Sequence, residues 1–185
     1  MRKIYFTSAV LLSAILSACG TVTNLKYKSI DHRKRPQVER VAFNPSDIQK
    51  ASGEVHLVGR VYLRDSHTNE ERVGNNVDVV LNPVSSVSTQ WFNEVCRKGK
   101  VLIGEVDPLY EHAMDMVKTN SYGQFAFPNV SPGEYYLSTR LYWHDTAPFS
   151  GPVEYGGLLA KKVKLVGDAV AIDLNQQDRC PGYYR

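Results

Sequence analysis

Cysteine is scarce in this 185-residue chain, with three residues in all, at positions 19, 96 and 180, and no Cys-x-x-Cys pair. That spacing excludes the paired-thiol sites of structural zinc modules and dithiol redox centres. Long apolar runs are missing as well. Beyond the first twenty residues nothing approaches the roughly 20 apolar residues that a spanning helix needs, so no transmembrane helix is expected. An excess of charge of one sign is lacking too, with 22 basic residues against 19 acidic. Nucleic-acid binding wants a strongly basic face, and no nucleic-acid partner is expected. The chain has no Gly-x-Ser-x-Gly elbow, no His-Glu-x-x-His and no glycine-rich phosphate loop. Nothing therefore calls for a cofactor, a metal or a catalytic residue. No internal repeat at a fixed period is seen.

What is there begins with MRKIYFTSAVLLSAILSACG. Two cations, Arg2 and Lys3, precede an apolar run from Ile4 to Leu16 and then small residues, the layout of a secretory signal. Its end, Leu16-Ser17-Ala18-Cys19-Gly20, resembles the lipobox of bacterial lipoproteins. The resemblance implies cleavage before Cys19, a diacylglycerol on its sulfur and an acylated amine, an anchor of several chains that holds where one would be marginal. Gly20 is not the aspartate that retains such proteins in the inner membrane. The expected location is therefore the outer membrane, facing the periplasm or the cell surface.

Without residues 1 to 18 the balance is 20 basic against 19 acidic residues. Positive charge gathers just after the anchor, at Lys26, Lys28, Arg33, Lys34, Arg35 and Arg40. Such a tether rests against anionic lipid, at about 1 kcal/mol per charge, or is a solvated linker kept extended by its charges. Both readings are open. The two remaining cysteines, Cys96 and Cys180, have crossed into a compartment where disulfides persist. Pairing would fasten the tail DRCPGYYR; two free buried thiols are the alternative.

From residue 53 the pattern is mostly strand. GEVHLVGRVYL sets Val55, Leu57, Val61 and Leu63 on one side at a period of two, with Gly59 marking a bulge or a close backbone approach. NNVDVVL turns Val77, Val79 and Leu81 inward. Asn120-Ser121-Tyr122-Gly123 reads as a type I turn and Ser131-Pro132-Gly133-Glu134 as a type II turn. Phe125 and Phe127 face inward between them. After the second turn Tyr135, Leu137, Thr139, Leu141 and Trp143 alternate against Tyr136, Ser138, Arg140, Tyr142 and His144. A final pair, AKKVKLV and AVAIDL, reads as a hairpin through Gly167-Asp168. One short helix is expected over residues 88 to 99, where Trp91, Phe92, Val95 and Cys96 recur at helical spacing. The Pro- and Gly-rich residues 144 to 157 read as a long surface loop.

Several short strands with turns about every ten residues predict an all-β fold, an antiparallel Greek-key sandwich of about seven strands. VGRVYL, NNVDVVLNP, TNSYGQFAFPNVSPGEYYLSTRL and VKLVGDAVAIDL together resemble a carboxypeptidase regulatory-like, transthyretin-like β-sandwich over about residues 55 to 175. The resemblance is carried by Asn120, Gly123, Phe125, Phe127, Pro132, Gly133 and Tyr135, and it implies that these are scaffold. The insertion between Pro83 and Lys118 departs from the pattern. The expected organisation is a signal at 1–18, a lipidated basic tether and N-terminal segment at 19–52, the sandwich at 53–176 and a tail at 177–185.

Chemistry is thin. His67-Thr68-Asn69-Glu70 spells the His-x-x-Glu of zinc carboxypeptidases, but in a polar turn without a third ligand on a rigid frame. Glu105, Asp107, Glu111, His112 and Asp115 form a cluster with no defined ligand spacing, read as a cation site or as a solvated edge. Recognition has more to work with. Tyr136, Tyr142 and His144 share one outer face, Phe149 and Tyr155 lie in the adjoining segment, and aromatics are enriched in binding surfaces. Alternatively the helix or the N-terminal segment covers that face. The resulting expectation is a non-catalytic outer-membrane lipoprotein with an envelope protein partner, an interaction or assembly module. The alternative is a lipoprotein that binds glycan or peptidoglycan, and a hydrolase is the least favoured reading.

Overall fold

The computed structural model describes residues 35–48, 51–147 and 151–184. Cys19, most of the basic tether and Phe149 lie outside the described residues. In chain order the strands are β1 (Gln37–Glu39), β2 (Val55–Arg60), β3 (Tyr62–Arg64), β4 (Glu71–Val73) and β5 (Asp78–Pro83). Helix α1 (Ser86–Gln90) then runs on into a wider coil at Trp91–Arg97. There follow β6 (Val101–Ile103), α2 (Pro108–His112), β7 (Asp115–Lys118), β8 (Gln124–Val130), β9 (Gly133–Ala147), β10 (Gly151–Leu165), β11 (Ala169–Ala171) and β12 (Arg179–Tyr184).

Two sheets face each other. The larger, in the order β12-β10-β9-β5-β7, is antiparallel throughout. The smaller has the order β11-β2-β8, and the β3–β4 ribbon continues it past Val61. The period-two residues meet between them. Val55, Leu57, Val61 and Leu63 pack with Phe125 and Phe127 against Val79, Leu81, Leu137, Leu141, Leu159, Val163 and Leu165. Leu57, Leu137 and Leu159 are wholly buried, and such side chains contribute about 1.5–3 kcal/mol each. The result is the expected all-β sandwich.

Local chemistry sets the ends. Gly123 donates its backbone N–H to the Asn120 carbonyl at 3.0 Å, closing the expected turn with the left-handed φ of 76° that glycine tolerates. Gly133 departs from expectation, since it opens β9 without the left-handed backbone of a type II turn. The Tyr135 hydroxyl donates instead to the Ser131 carbonyl across the bend at 2.7 Å. Thr119 is buried but satisfied, donating to the Gly74 carbonyl and accepting from the Val77 N–H.

Three further expectations change. Of the segment read as a surface loop, residues 144–147 and 151–157 are strand: β9 and β10 are fifteen residues each and remain paired from Gly151↔Ala147 to Leu165↔Gly133. The ladder satisfies backbone groups that the Pro and Gly content suggested would go to water. Gly167-Asp168 does not close a hairpin, because β11 leaves β10 for the other sheet and pairs parallel with β2. The turn carries the chain from one sheet to the other. Finally, β12 is an edge strand of the larger sheet, and β1 pairs parallel with β6.

The helix lies where one was expected and makes a third layer. Ser85 caps it, its hydroxyl accepting from the Ser88 N–H. Phe92 stacks on Tyr136 with ring centres 4.7 Å apart, and Cys96 is bonded to Cys180 with Cα atoms 4.5 Å apart. This cluster, with Leu158 and Ala160, covers part of the outer face of the larger sheet. Gln90 ties the N-terminal segment to the same layer, accepting from the Val41 N–H at 3.0 Å and donating to the Glu39 carbonyl at 2.7 Å.

Candidate functional site

Beside the helix the outer face of the larger sheet stays open. On β5 the outward residues are Asp78, Val80 and Asn82, and on β7 Met116 and Lys118 stand beside them by register. On β9 they are Ser138 and Arg140, with Leu158 paired opposite Arg140 on β10. The helical coil adds Trp91, and the insertion adds Val106, Tyr110, Glu111 and Met114. Together with Arg40 these residues, apart from Lys118, bound a groove of about 520 Å³. A second depression of about 400 Å³ adjoins it and shares Arg40, Val106 and Tyr110.

The groove mixes flat apolar surface with polar groups. Asn82 is 6% exposed and donates its amide to the Tyr110 hydroxyl at 2.5 Å. Its carbonyl oxygen has no partner among the described residues, an uncommon state for a buried polar atom. Burial holds the Tyr110 phenol above its ordinary pKa, against the opposing pull of the Asn82 bond and of Arg40. The ring therefore stays neutral and hydrogen-bonding at physiological pH. Asp78 is taken by Lys118 at 2.7 Å. Arg140 lies across from Asp78, one step beyond the Val79↔Thr139 pair, yet its guanidinium has no ion pair or hydrogen bond among the described residues.

The aromatic residues singled out from sequence do not form one surface. Tyr136 is 4% exposed beneath Phe92, so the helix covers it. Tyr142 is 40% exposed on the same face, two residues beyond Arg140. Burial chiefly raises its pKa. His144 stands 3.7 Å from Glu154. Tyr155 is on the opposite face, stacked on Trp143 at 6.0 Å and met edge-on by His67 at 5.4 Å. The pairing of Tyr155 with Trp143 on the neighbouring strand puts it there, which an assignment to a loop could not show. Phe149 lies outside the described residues.

The other candidates take local roles. In the His67–Glu70 turn the buried Asp65 accepts from the His67 and Thr68 N–H groups at 2.8 and 3.3 Å. Asp107 caps α2, accepting from the Leu109 N–H at 2.8 Å. Among the described residues no group of three or more His, Cys, Asp or Glu side chains is placed to hold a metal ion. The groove residues Trp91, Asn82, Tyr110 and Arg140 were not singled out together from sequence. Their signals there were a helical period, an outward strand position and an insertion, none of which shows convergence.

No family model and no curated protein matches the chain. Among solved structures, a candidate carbohydrate binding protein from Pseudomonas aeruginosa is similar over 74% of this chain and 99% of its own, with 22% sequence identity and a TM-score of 0.63. A 9R-lipoxygenase from Cyanothece is similar over 70% of this chain but 18% of its own, with 14% identity and a TM-score of 0.27, and carries no argument. What the first likeness establishes is that this chain has the same kind of fold.

Proposed function

We propose that this chain is a non-catalytic saccharide-binding module, carried at the outer membrane by lipid on Cys19. The observation that carries the reading is the groove in which Trp91 and Tyr110 meet Asn82, Glu111 and Arg140. A sugar ring has an apolar face, which an aromatic plane covers, and a rim of hydroxyls, which amides, carboxylates and guanidinium groups bond. At about 520 Å³ the groove has the size of an ordinary ligand site. The name of the Pseudomonas protein of similar fold supports the same reading. The sequence resemblance to carboxypeptidase regulatory-like sandwiches, whose motif residues are scaffold without a reactive group among them, supports the non-catalytic part of the reading.

The test is a glycan array followed by calorimetry on the full chain in detergent. Trp91→Ala is expected to weaken the best ligand about tenfold, equivalent to about 1.4 kcal/mol, with the thermal midpoint measured beside it because Trp91 also packs against the helix cluster. Binding untouched by this variant would remove the groove from the account. Anchoring is checked separately, by labelled palmitate entering the wild-type chain and not Cys19→Ser.

A second reading, a protein-interaction or envelope-assembly module, has its own support. Leu109 and Met116 are 60% and 64% exposed, and β7 is an edge strand of the larger sheet. An exposed edge with apolar neighbours is a docking surface for another chain. Crosslinking to an envelope protein through Met116, with no glycan bound, would favour it.

A further inference from the structure

We infer that the groove selects carboxylate-bearing saccharides, with Arg140 as the partner of the sugar carboxylate; this rests on the saccharide reading above. The charges around the groove are unequal. Arg40, Arg140 and Lys118 stand against Asp78 and Glu111, and the Asp78 carboxylate is already engaged by Lys118 at 2.7 Å. Arg40 gives its Nε–H to the Gly104 carbonyl at 3.2 Å and makes no ion pair among the described residues. The Arg140 side chain makes neither an ion pair nor a hydrogen bond there. It is exposed at the groove wall, on a strand held by pairing on both sides.

An unpaired guanidinium on a rigid strand is suited to a planar acid. Its N–H fork meets both oxygens of a carboxylate, which a hydroxyl cannot reciprocate. Glu111 is the one lining carboxylate that no cation engages among the described residues. It faces the groove from α2 and is left to accept from sugar hydroxyls. Beyond Arg140 the outer face continues to Tyr142, which lies within the fields of Arg140, Arg35 and Glu154. Arg35 is stacked over Tyr183 at 3.9 Å and donates to the Gly99 carbonyl at 3.0 Å. Glu154 Oε2 lies 3.7 Å from His144 Nε2. Beyond Arg140, Arg35 brings a second cation near Tyr142 from the N-terminal segment, where a second acidic sugar of a chain would meet it.

The experiment uses the full chain in detergent and a panel of uronate-containing and sialylated oligosaccharides, each beside its carboxyl-reduced counterpart. At least one acidic member should bind about tenfold more tightly than its reduced partner. Arg140→Met should abolish that preference and Arg140→Lys should keep part of it. Raising salt from about 50 to about 500 mM should weaken the acid and not the reduced sugar. Thermal melts keep the test clear of misfolding, since Arg140 has no partner to lose. Equal binding of acid and reduced forms overturns the inference and leaves the saccharide reading standing. A preference that survives Arg140→Met overturns the role of Arg140. No binding by any member, acidic or reduced, overturns the inference together with the saccharide reading.

Discussion

Replacing Cys180 by alanine opens the bond to Cys96 and with it a closed loop of 84 residues that holds β6 to β11. In the loop-entropy account such a loop contributes about 4.5 kcal/mol by restricting the unfolded chain. For a domain of this size that is a fall in thermal midpoint of roughly 10 to 18 °C. Both cysteines are buried, 1% and 0% exposed, so the variant also loses a packed sulfur. Comparing wild-type protein with and without reductant separates the crosslink from the packing. Urea unfolding followed by Trp fluorescence should show the midpoint fall on reduction, with Cys180→Ala falling slightly further. Hydrogen exchange should quicken first in β12 and in the coil at Trp91–Arg97, the two elements the bond joins. A loss under about 1 kcal/mol on reduction would refute the reasoning. It would mean that the Phe92–Tyr136 stack and the β10–β12 ladder hold the third layer unaided.

Gly59→Ala should cost about 3 kcal/mol in urea unfolding, because an added Cβ runs into the Ile172 carbonyl and the Phe125 ring; a loss under about 1 kcal/mol would show that β11 can shift. Acid should destabilise the fold. The Asp65 carboxyl is held below its usual range by the His67 N–H first, then by Thr68 and Arg72, against its burial. Lys100 and then Lys98 lower Glu94, and Lys162 lowers Glu134. Groups with depressed folded pKa values add stability that is complete above the ordinary carboxylate range, near about pH 4, and lost as pH falls through the depressed values. The melting temperature should hold down to about pH 5 and drop below about pH 4, less steeply in Asp65→Asn. A midpoint unchanged at about pH 3 would contradict this assignment.

Much of the sandwich was legible because a strand has two faces and the chain alternates between them. Leu57, Leu81, Leu137 and Leu165 go where their spacing sends them, and Asn120 to Gly123 closes the turn its residues demand. Gly59 also behaves as read, a place where another backbone comes close. The paired cysteines were open from sequence, since nothing local brings Cys96 to Cys180. They meet because β12 returns to the edge of the sheet that the helix covers.

The groove was not legible. Period two says that Tyr136, Arg140 and Tyr142 share a face, but not that Phe92 lies over the first and leaves the others open. Tyr155 was misplaced because a segment rich in Pro and Gly gave no sign that it pairs for fifteen residues with β9. Arg40, Asp78, Trp91, Tyr110 and Arg140 are scattered over a hundred residues and converge through cross-strand register and the packing of the insertion. Side-chain alternation and turn chemistry are local, so the residues themselves determined the two sheets and their inner faces. Which outer positions are covered, paired or left free depends on contacts between distant segments, and only the folded chain decided that.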